Sequence, residues 1–90
     1  MTELEQYRKE IDQIDQELTR LVERRFEIAK KVVDYKMKND LPVLDASREK
    51  IVIQRNQERL SHPEYQTELA DFYTHLMAIA RSIQEKRMNP

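Results

Sequence analysis

The chain of 90 residues contains no glycine, no cysteine and no tryptophan, and it has only three prolines. Average glycine usage of about 7% would give roughly six glycines in a chain of this length. Their absence leaves few left-handed turns and excludes nucleotide-binding motifs built on glycine-rich loops. The lack of cysteine excludes disulfide bonds and thiolate metal sites.

The chain also lacks an excess of either positive or negative charge. Charged residues make up 37% of the chain, yet the formal net charge is -1 at pH 7. Such a chain has no basic footprint for nucleic acid and no polybasic patch for a membrane surface. The first ten residues lack the apolar region of a signal peptide, and no run approaches a membrane span. We therefore expect a cytoplasmic protein that binds neither nucleic acid nor membrane.

Hydrophobic periodicity predicts one long helix from about residue 3 to residue 38. Ten positions alternate spacings of three and four, and all but one are apolar or aromatic: Leu4, Tyr7, Ile11, Ile14, Leu18, Leu21, Arg25, Ile28, Val32 and Tyr35. At about 1.5 Å per residue this helix would be roughly 50 Å long. We expect it to end near Asn39 and Asp40, because Pro42 disfavours helical geometry at the residue before it.

A short second helix is predicted after a connector. Asp45 is its candidate N-cap, although a start at Ala46 would place Glu49 at the third position. Its buried side is predicted to consist of Ile51, Val52 and Ile53.

A third helix is predicted to begin with Pro63 and to fade after Ile83. One stripe on it follows spacings of four, three and four residues: Tyr73, Met77, Ala80 and Gln84. The whole chain, residues 1–90, is thus predicted to be a single all-helical domain. Its shorter helices cannot cover the long one, and soluble monomers rarely expose a large apolar strip. We therefore predict a two-fold homodimer formed through the first helix.

Arg25 places a permanent cation in the middle of the apolar seam. Burying a guanidinium without a partner is costly, so this position requires an anion. The anion is either a glutamate of a packed helix or a ligand, unless the side chain reaches solvent. Lys36 lies eleven residues later on the same face, roughly 16 Å away, where two cations could bracket a small polar ligand. By itself Lys36 also suits a solvated helix C-terminus.

The remaining polar residues have structural interpretations of their own. Gln84 ends an apolar stripe with an amide, as fraying helix ends commonly do. His62 and His75 show no metal-ligand spacing and are interpreted as structural. The start of the second helix carries a cluster that suits a cap with helix-start charges: Asp45, Arg48 and Glu49. Because no Ser/His/Asp or Cys/His arrangement can be assembled, a catalytic chain would work without a nucleophile or a metal.

Several segments, in order and spacing, resemble the AroQ-class chorismate mutases. They are Y-R-K-E-I-D-x-I-D near the start, E-R-R-x-E-I-A-x-x-V-x-x-Y-K, L-P-V-x-D-x-x-R-E, and the late Gln84. The resemblance covers about residues 4 to 86. It implies an intertwined all-helical homodimer in which the long first helices of three-helix chains pair. It also implies an isomerase of aromatic amino acid biosynthesis that rearranges chorismate to prephenate without a cofactor.

The resemblance assigns a role to each unusual residue. Arg25 matches an arginine that grips a substrate carboxylate, and Arg8 matches a second one that the partner chain supplies. Lys36 and Gln84 match the two donors to the ether oxygen. The cluster around the substrate's hydroxyl and carboxylate corresponds to Asp45, Arg48 and Glu49. Ala80 stands where many family members have serine, which removes a hydrogen bond near the ring carboxylate.

The separation of the two arginines agrees with a shared site. Arg8 and Arg25 lie seventeen residues apart, about 25 Å along one straight helix. One chain therefore cannot apply both to a single small dicarboxylate, whereas an antiparallel partner helix can bring its Arg8 to the Arg25 region.

Other functions stay open at this stage. The same scaffold could carry an isochorismate-pyruvate lyase, which would use similar arginines and the lysine. A non-enzymatic helical dimerisation module, with Arg25 paired to glutamate, is a rival from a different class. A regulatory role, in which the domain docks on a larger enzyme of the same pathway, is a third.

Overall fold

The computed structural model describes all residues from Met1 to Pro90 and contains three α-helices and no strand. A single 3₁₀ turn at Pro63–Tyr65 precedes the last helix. The three helices are α1 (Glu3–Lys38), α2 (Ala46–Glu58) and α3 (Gln66–Met88). The predicted all-helical fold and the bounds of the long first helix are confirmed.

The C-terminus of α1 is closed by backbone hydrogen bonds that reverse the chain without glycine. The Leu41 N–H donates to the Lys36 carbonyl at 2.8 Å, and the Asp40 N–H donates to the Met37 carbonyl at 3.4 Å. This pair of bonds is a Schellman motif, whose central residue adopts left-handed geometry. Asp40 takes that position with φ of 53°, which aspartate tolerates better than most residues. The motif sets Lys36 in the last turn of α1, facing the returning connector.

Asp45 is the N-cap of α2. Its carboxylate accepts hydrogen bonds from the backbone N–H of Arg48 at 3.0 Å and from the Ser47 hydroxyl at 2.8 Å. Both bonds favour the ionised carboxylate, so they hold the pKa of Asp45 below its usual 3.8, the backbone bond having the larger effect.

Two details of the shorter helices differ from the prediction. In α2, Ile51 is 41% exposed, while Val52 and Ile53 are half-buried, and no residue is fully buried. Consecutive residues are rotated by about 100°, so three in a row cannot share one side of a helix. Pro63 begins the 3₁₀ turn rather than α3, which starts at Gln66 and continues past Ile83 to Met88.

The last helix is the element against which the other two pack. Glu49 pairs with Arg81, whereas Gln57 bonds to Gln66, so α2 and α3 run antiparallel. On its other side α3 runs along the C-terminal half of α1. The small core between these helices consists of Ala29, Val33, Leu76, Met77 and Ala80.

The N-terminal half of α1 projects from this core without a neighbour. The molecule is 55 Å long, which is about the length of a 36-residue helix. Nine apolar or aromatic side chains of the α1 seam are each between 41% and 63% exposed: Leu4, Tyr7, Ile11, Ile14, Leu18, Leu21, Ile28, Val32 and Tyr35. None of the helices combines the length and the apolar character that crossing a membrane requires.

We predict that the cap of α2 makes stability depend on acid pH. Because the pKa of Asp45 is lowered by folding, the ionised cap stabilises the fold above the unfolded-state value of 3.8. That contribution is lost as the pH falls through the lower, folded-state pKa. Thermal unfolding of wild type and Asp45→Ala should therefore differ at pH 7 and converge as the pH falls below 3.8. A difference that stays constant down to pH 2 would contradict this role.

Candidate active site

A cavity of about 310 Å³ opens where α1, the connector, α2 and α3 meet. The two long helices supply its walls, and the start of α2 forms its rim. Seven of the eight residues that the sequence singled out line it: Arg25, Lys36, Asp45, Arg48, Glu49, Ala80 and Gln84. Residues that are up to 59 positions apart in the sequence are thus brought together.

Arg25 enters the cavity half-buried and without a protein partner. The chain forms three ion pairs, and their cations are Lys30, Arg81 and Arg87. The guanidinium of Arg48, on the α2 side of the same cavity, is likewise free of protein carboxylates. Two guanidinium groups, each with a bidentate face, are therefore available to ligand oxygens.

Lys36 is held by the connector that follows its own helix. Its ammonium donates to the Val43 carbonyl at 2.9 Å. An ammonium carries three N–H donors, so two remain for a ligand in the cavity. The Schellman turn places Val43 opposite Lys36, and the backbone contact fixes the ammonium in position.

Gln84 is buried, with 8% of its surface exposed. Its side-chain nitrogen donates to the Ala29 carbonyl at 3.0 Å. That bond joins α3 to α1 and orients the amide, because the nitrogen must face the carbonyl. The second N–H of the amide makes no bond within the chain and remains available as a donor. Gln84 is therefore a packed residue of the core and not part of a fraying end.

Arg81 also lines the cavity, although nothing in the sequence pattern had singled it out. Its guanidinium forms an ion pair with Glu49 of α2, so the pair bridges α2 and α3 beside Gln84. The available signal was its position immediately after Ala80 and three residues before Gln84, on the flank of the buried stripe. A second inter-helix pair, Arg87 with Asp34 at 2.9 and 3.0 Å, lies outside the cavity.

The lining of the cavity carries an excess of positive charge. Four cationic side chains face two acidic ones, which leaves a formal excess of two positive charges. Of the acids, Glu49 is neutralised by Arg81, and Asp45 is bound to the start of α2. The arrangement is complementary to a small ligand with two negative charges.

Arg8 is the one candidate that this chain does not bring to the cavity. It lies exposed in the projecting half of α1, seventeen residues before Arg25. Ala80 is buried in the cavity wall with 7% of its surface exposed and offers no hydrogen-bonding side chain. No group of three or more histidine, cysteine, aspartate or glutamate side chains is arranged to hold a metal ion.

Comparison with known proteins identifies the family. Residues 7–85 match the family model described as chorismate mutase type II. The chain belongs to the chorismate mutase type II family. It is 32% identical over 90 residues to the bifunctional chorismate mutase/prephenate dehydratase of Aquifex aeolicus (strain VF5), an alignment that covers 96% of this chain and 25% of the relative. The chain thus spans about a quarter of the length of the curated relative that it matches.

Within this family member, we predict that Arg25 lowers the stability of the unliganded protein. Arg25→Leu should raise the free energy of unfolding by on the order of 1 kcal/mol, because leucine continues the apolar stripe and removes an unpaired cation. Arg24→Leu is the matched control. Arg24 is exposed on the same helix, does not line this cavity and forms no ion pair. Urea denaturation of both variants measures the difference. A loss of stability in Arg25→Leu would indicate that the guanidinium already has an anionic partner.

Proposed function

We propose that this chain is a chorismate mutase, an isomerase that rearranges chorismate to prephenate within the 310 Å³ cavity and without a cofactor. The observation that carries the proposal is Arg25, a half-buried guanidinium without a protein anion in a cavity with two excess positive charges. Chorismate supplies two carboxylates. Family membership and the name of the relative support the same activity.

In this proposal the arginines select the reactive shape of the substrate. The rearrangement requires a compact conformer in which the side-chain carbon lies over the ring. Arg25 and Arg48 enter the cavity from α1 and α2, so carboxylates bound to them are held at a fixed separation. Fixing both ends of a flexible molecule in a near-attack geometry removes entropy from the barrier.

The donors Lys36 and Gln84 act on the ether oxygen. In the intramolecular step the C–O bond breaks while a C–C bond forms, no proton is exchanged, and negative charge builds on that oxygen. Both donors are preorganised by backbone carbonyls, Lys36 by Val43 and Gln84 by Ala29. Their bonds strengthen as the charge develops, so they bind the transition state more tightly than the substrate.

The ion pair between Glu49 and Arg81 suggests a role for Arg81 that the family resemblance did not assign. We assign Glu49 to the substrate's hydroxyl and Arg81 to holding Glu49 at the cavity wall through their ion pair. Arg81 is then a positioning residue, and Arg81→Lys should retain more of the turnover than Arg81→Gln. The surface pair of Arg87 with Asp34 is the control, because Arg87→Gln removes an inter-helix pair outside the cavity.

Replacing Lys36 should test the electrostatic step. Lys36→Ala is expected to lower kcat by about two orders of magnitude or more, since losing one preorganised donor costs about 3–4 kcal/mol. Lys38→Ala is the matched control, because Lys38 is exposed on the same helix end and does not line the cavity. Loss of chorismate absorption in the ultraviolet measures turnover, and circular dichroism checks the helices. A Lys36→Ala rate equal to that of wild type would refute the assignment.

We further propose that the active form is a two-fold dimer in which the α1 helices pair antiparallel. The exposed seam of α1 supports this, because it extends far beyond the region that α3 covers. Pairing would bury the seam and bring Arg8 of the partner subunit to the Arg25 end of the cavity. A third guanidinium then completes the site from the second copy.

Mixing two inactive variants should test the shared site. Arg8→Ala lacks the arginine that it would lend, and Lys36→Ala lacks a donor in its own cavity, so each homodimer should be nearly inactive. When the two variants are unfolded and refolded together, each mixed dimer contains one intact site. Activity should then recover to about a quarter of the wild-type value, because about half of the dimers are mixed. No recovery, with dimers present in sedimentation velocity, would contradict an arginine donated across the interface.

A further inference from the structure

A second cavity of about 240 Å³ shares part of its lining with the first, and four of its seven lining residues are cations. Four arginines converge on it, and no acidic residue lines it. Its remaining walls are a half-buried valine, an asparagine and a tyrosine. We call it the arginine cleft, and its residues are Arg25, Arg48, Val52, Arg55, Asn56, Arg59 and Tyr73.

The cleft is built by the spacing of arginines on α2 and at its C-cap, Arg59. Arg48, Arg55 and Arg59 are separated by seven and four residues, which keeps all three within about 20° of one line along the helix. Arg25 of α1 and Tyr73 of α3 close the cleft from the other two helices. All three helices therefore contribute, and the cleft is a feature of the folded chain.

None of the four arginines is neutralised within the chain. The cations of the three ion pairs lie elsewhere. Arg25 is half-buried, whereas Arg48, Arg55 and Arg59 are exposed. Four like charges gathered at one cleft repel one another and destabilise the unliganded fold. An oxyanion that accepts hydrogen bonds from several guanidinium groups would remove this repulsion.

One member of the cleft is already locked in place. The Asn56 amide nitrogen donates to the Val52 carbonyl at 2.8 Å, and the Asn56 amide oxygen accepts from the Arg59 guanidinium at 2.8 Å. The asparagine thus ties Arg59 to the backbone of α2 and reduces the entropy that its long side chain would lose on binding.

We propose that the arginine cleft is a second anion-binding site, and that its ligands are phosphate-class oxyanions. Guanidinium groups match the geometry of phosphate oxygens, and four of them suit its multiple negative charge. Because Arg25 and Arg48 line both cavities, phosphate in the cleft competes for groups that bind the substrate's carboxylates. The competition rests on the proposed function, whereas binding of phosphate does not.

Thermal unfolding tests the binding directly. Phosphate present at about ten times its Kd should raise Tm by roughly 6–11 °C above chloride. The two salts are compared at equal ionic strength, so that general screening is the same. The same Tm measurement is repeated with glycerol 3-phosphate in place of inorganic phosphate. A rise with both ligands assigns the site to phosphate monoesters as well as to the free ion, and a rise with inorganic phosphate alone assigns it to the ion.

The variant Arg55→Gln/Arg59→Gln should lose the phosphate-dependent rise and, in chloride, should melt no lower than wild type, because repulsion is relieved. Arg20→Gln/Arg24→Gln is the matched control, with the same change in charge at two exposed positions of α1 that line neither cavity. This control should keep the full rise. A rise that survives in the cleft variant, or that is absent in wild type, would overturn the proposal.

Two further readouts separate the remaining possibilities. In the chorismate assay, phosphate should raise KM without changing kcat in wild type, and the effect should shrink several-fold in the cleft variant. If phosphate raises Tm but the protein does not turn over chorismate, the proposed function fails while the anion site stands. If sedimentation shows that Arg55→Gln/Arg59→Gln weakens the dimer instead, the cleft binds acidic residues of a second copy and the proposal is wrong.

Discussion

The chemistry of the cavity depends on one guanidinium, that of Arg25, for which the chain supplies no anionic partner. Arg25 occupies a position that the apolar seam of α1 would fill with leucine or isoleucine, and it is half-buried there. Withdrawing a charge from water is costly unless a partner compensates. Both acids that line its cavity are already engaged, Glu49 with Arg81 and Asp45 with the start of α2. The chain thus sacrifices stability at one point, as binding and catalytic sites commonly do.

The same helix connects this site to the proposed dimer. α1 is long enough to extend far past α3, and its exposed half carries both an apolar seam and Arg8. One feature therefore motivates two proposals, since pairing of the helices would bury the seam and also deliver an arginine to the cavity. In the resulting account, association and ligand binding depend on the same contact, and a variant that weakens one should weaken the other.

Periodicity predicted the fold because the helices are long and regular. The bounds of α1, the cap at Asp45 and the buried stripe that ends at Gln84 all follow from local rules of spacing and capping. Seven of the eight candidate residues line the cavity, and each was singled out because it looked out of place for its position or matched a family segment. Their convergence on one cavity could not be read from any single helix.

What the sequence did not reveal depends on contacts between helices. The ion pair of Arg81 with Glu49 joins α2 to α3 and has no local signature, because many solvated helix faces carry similar charges. The arginines of α2 and its C-cap share one line in the sequence pattern. Arg25 and Tyr73 reach the cleft only through the packing of α1 and α3. Ile51 is exposed because three consecutive residues cannot share one side of a helix, so the run of three apolar residues was a misleading sign of burial.

A crystal structure of the protein with a stable dicarboxylate that mimics the compact conformer of chorismate would show directly what Arg25 binds. We expect one ligand carboxylate to lie within hydrogen-bonding distance of the Arg25 guanidinium, about 2.7–2.9 Å, and no aspartate or glutamate side chain to contact it. If Arg25 instead pairs with a protein carboxylate, with the dicarboxylate bound elsewhere or not at all, Arg25 is not the ligand's anchor.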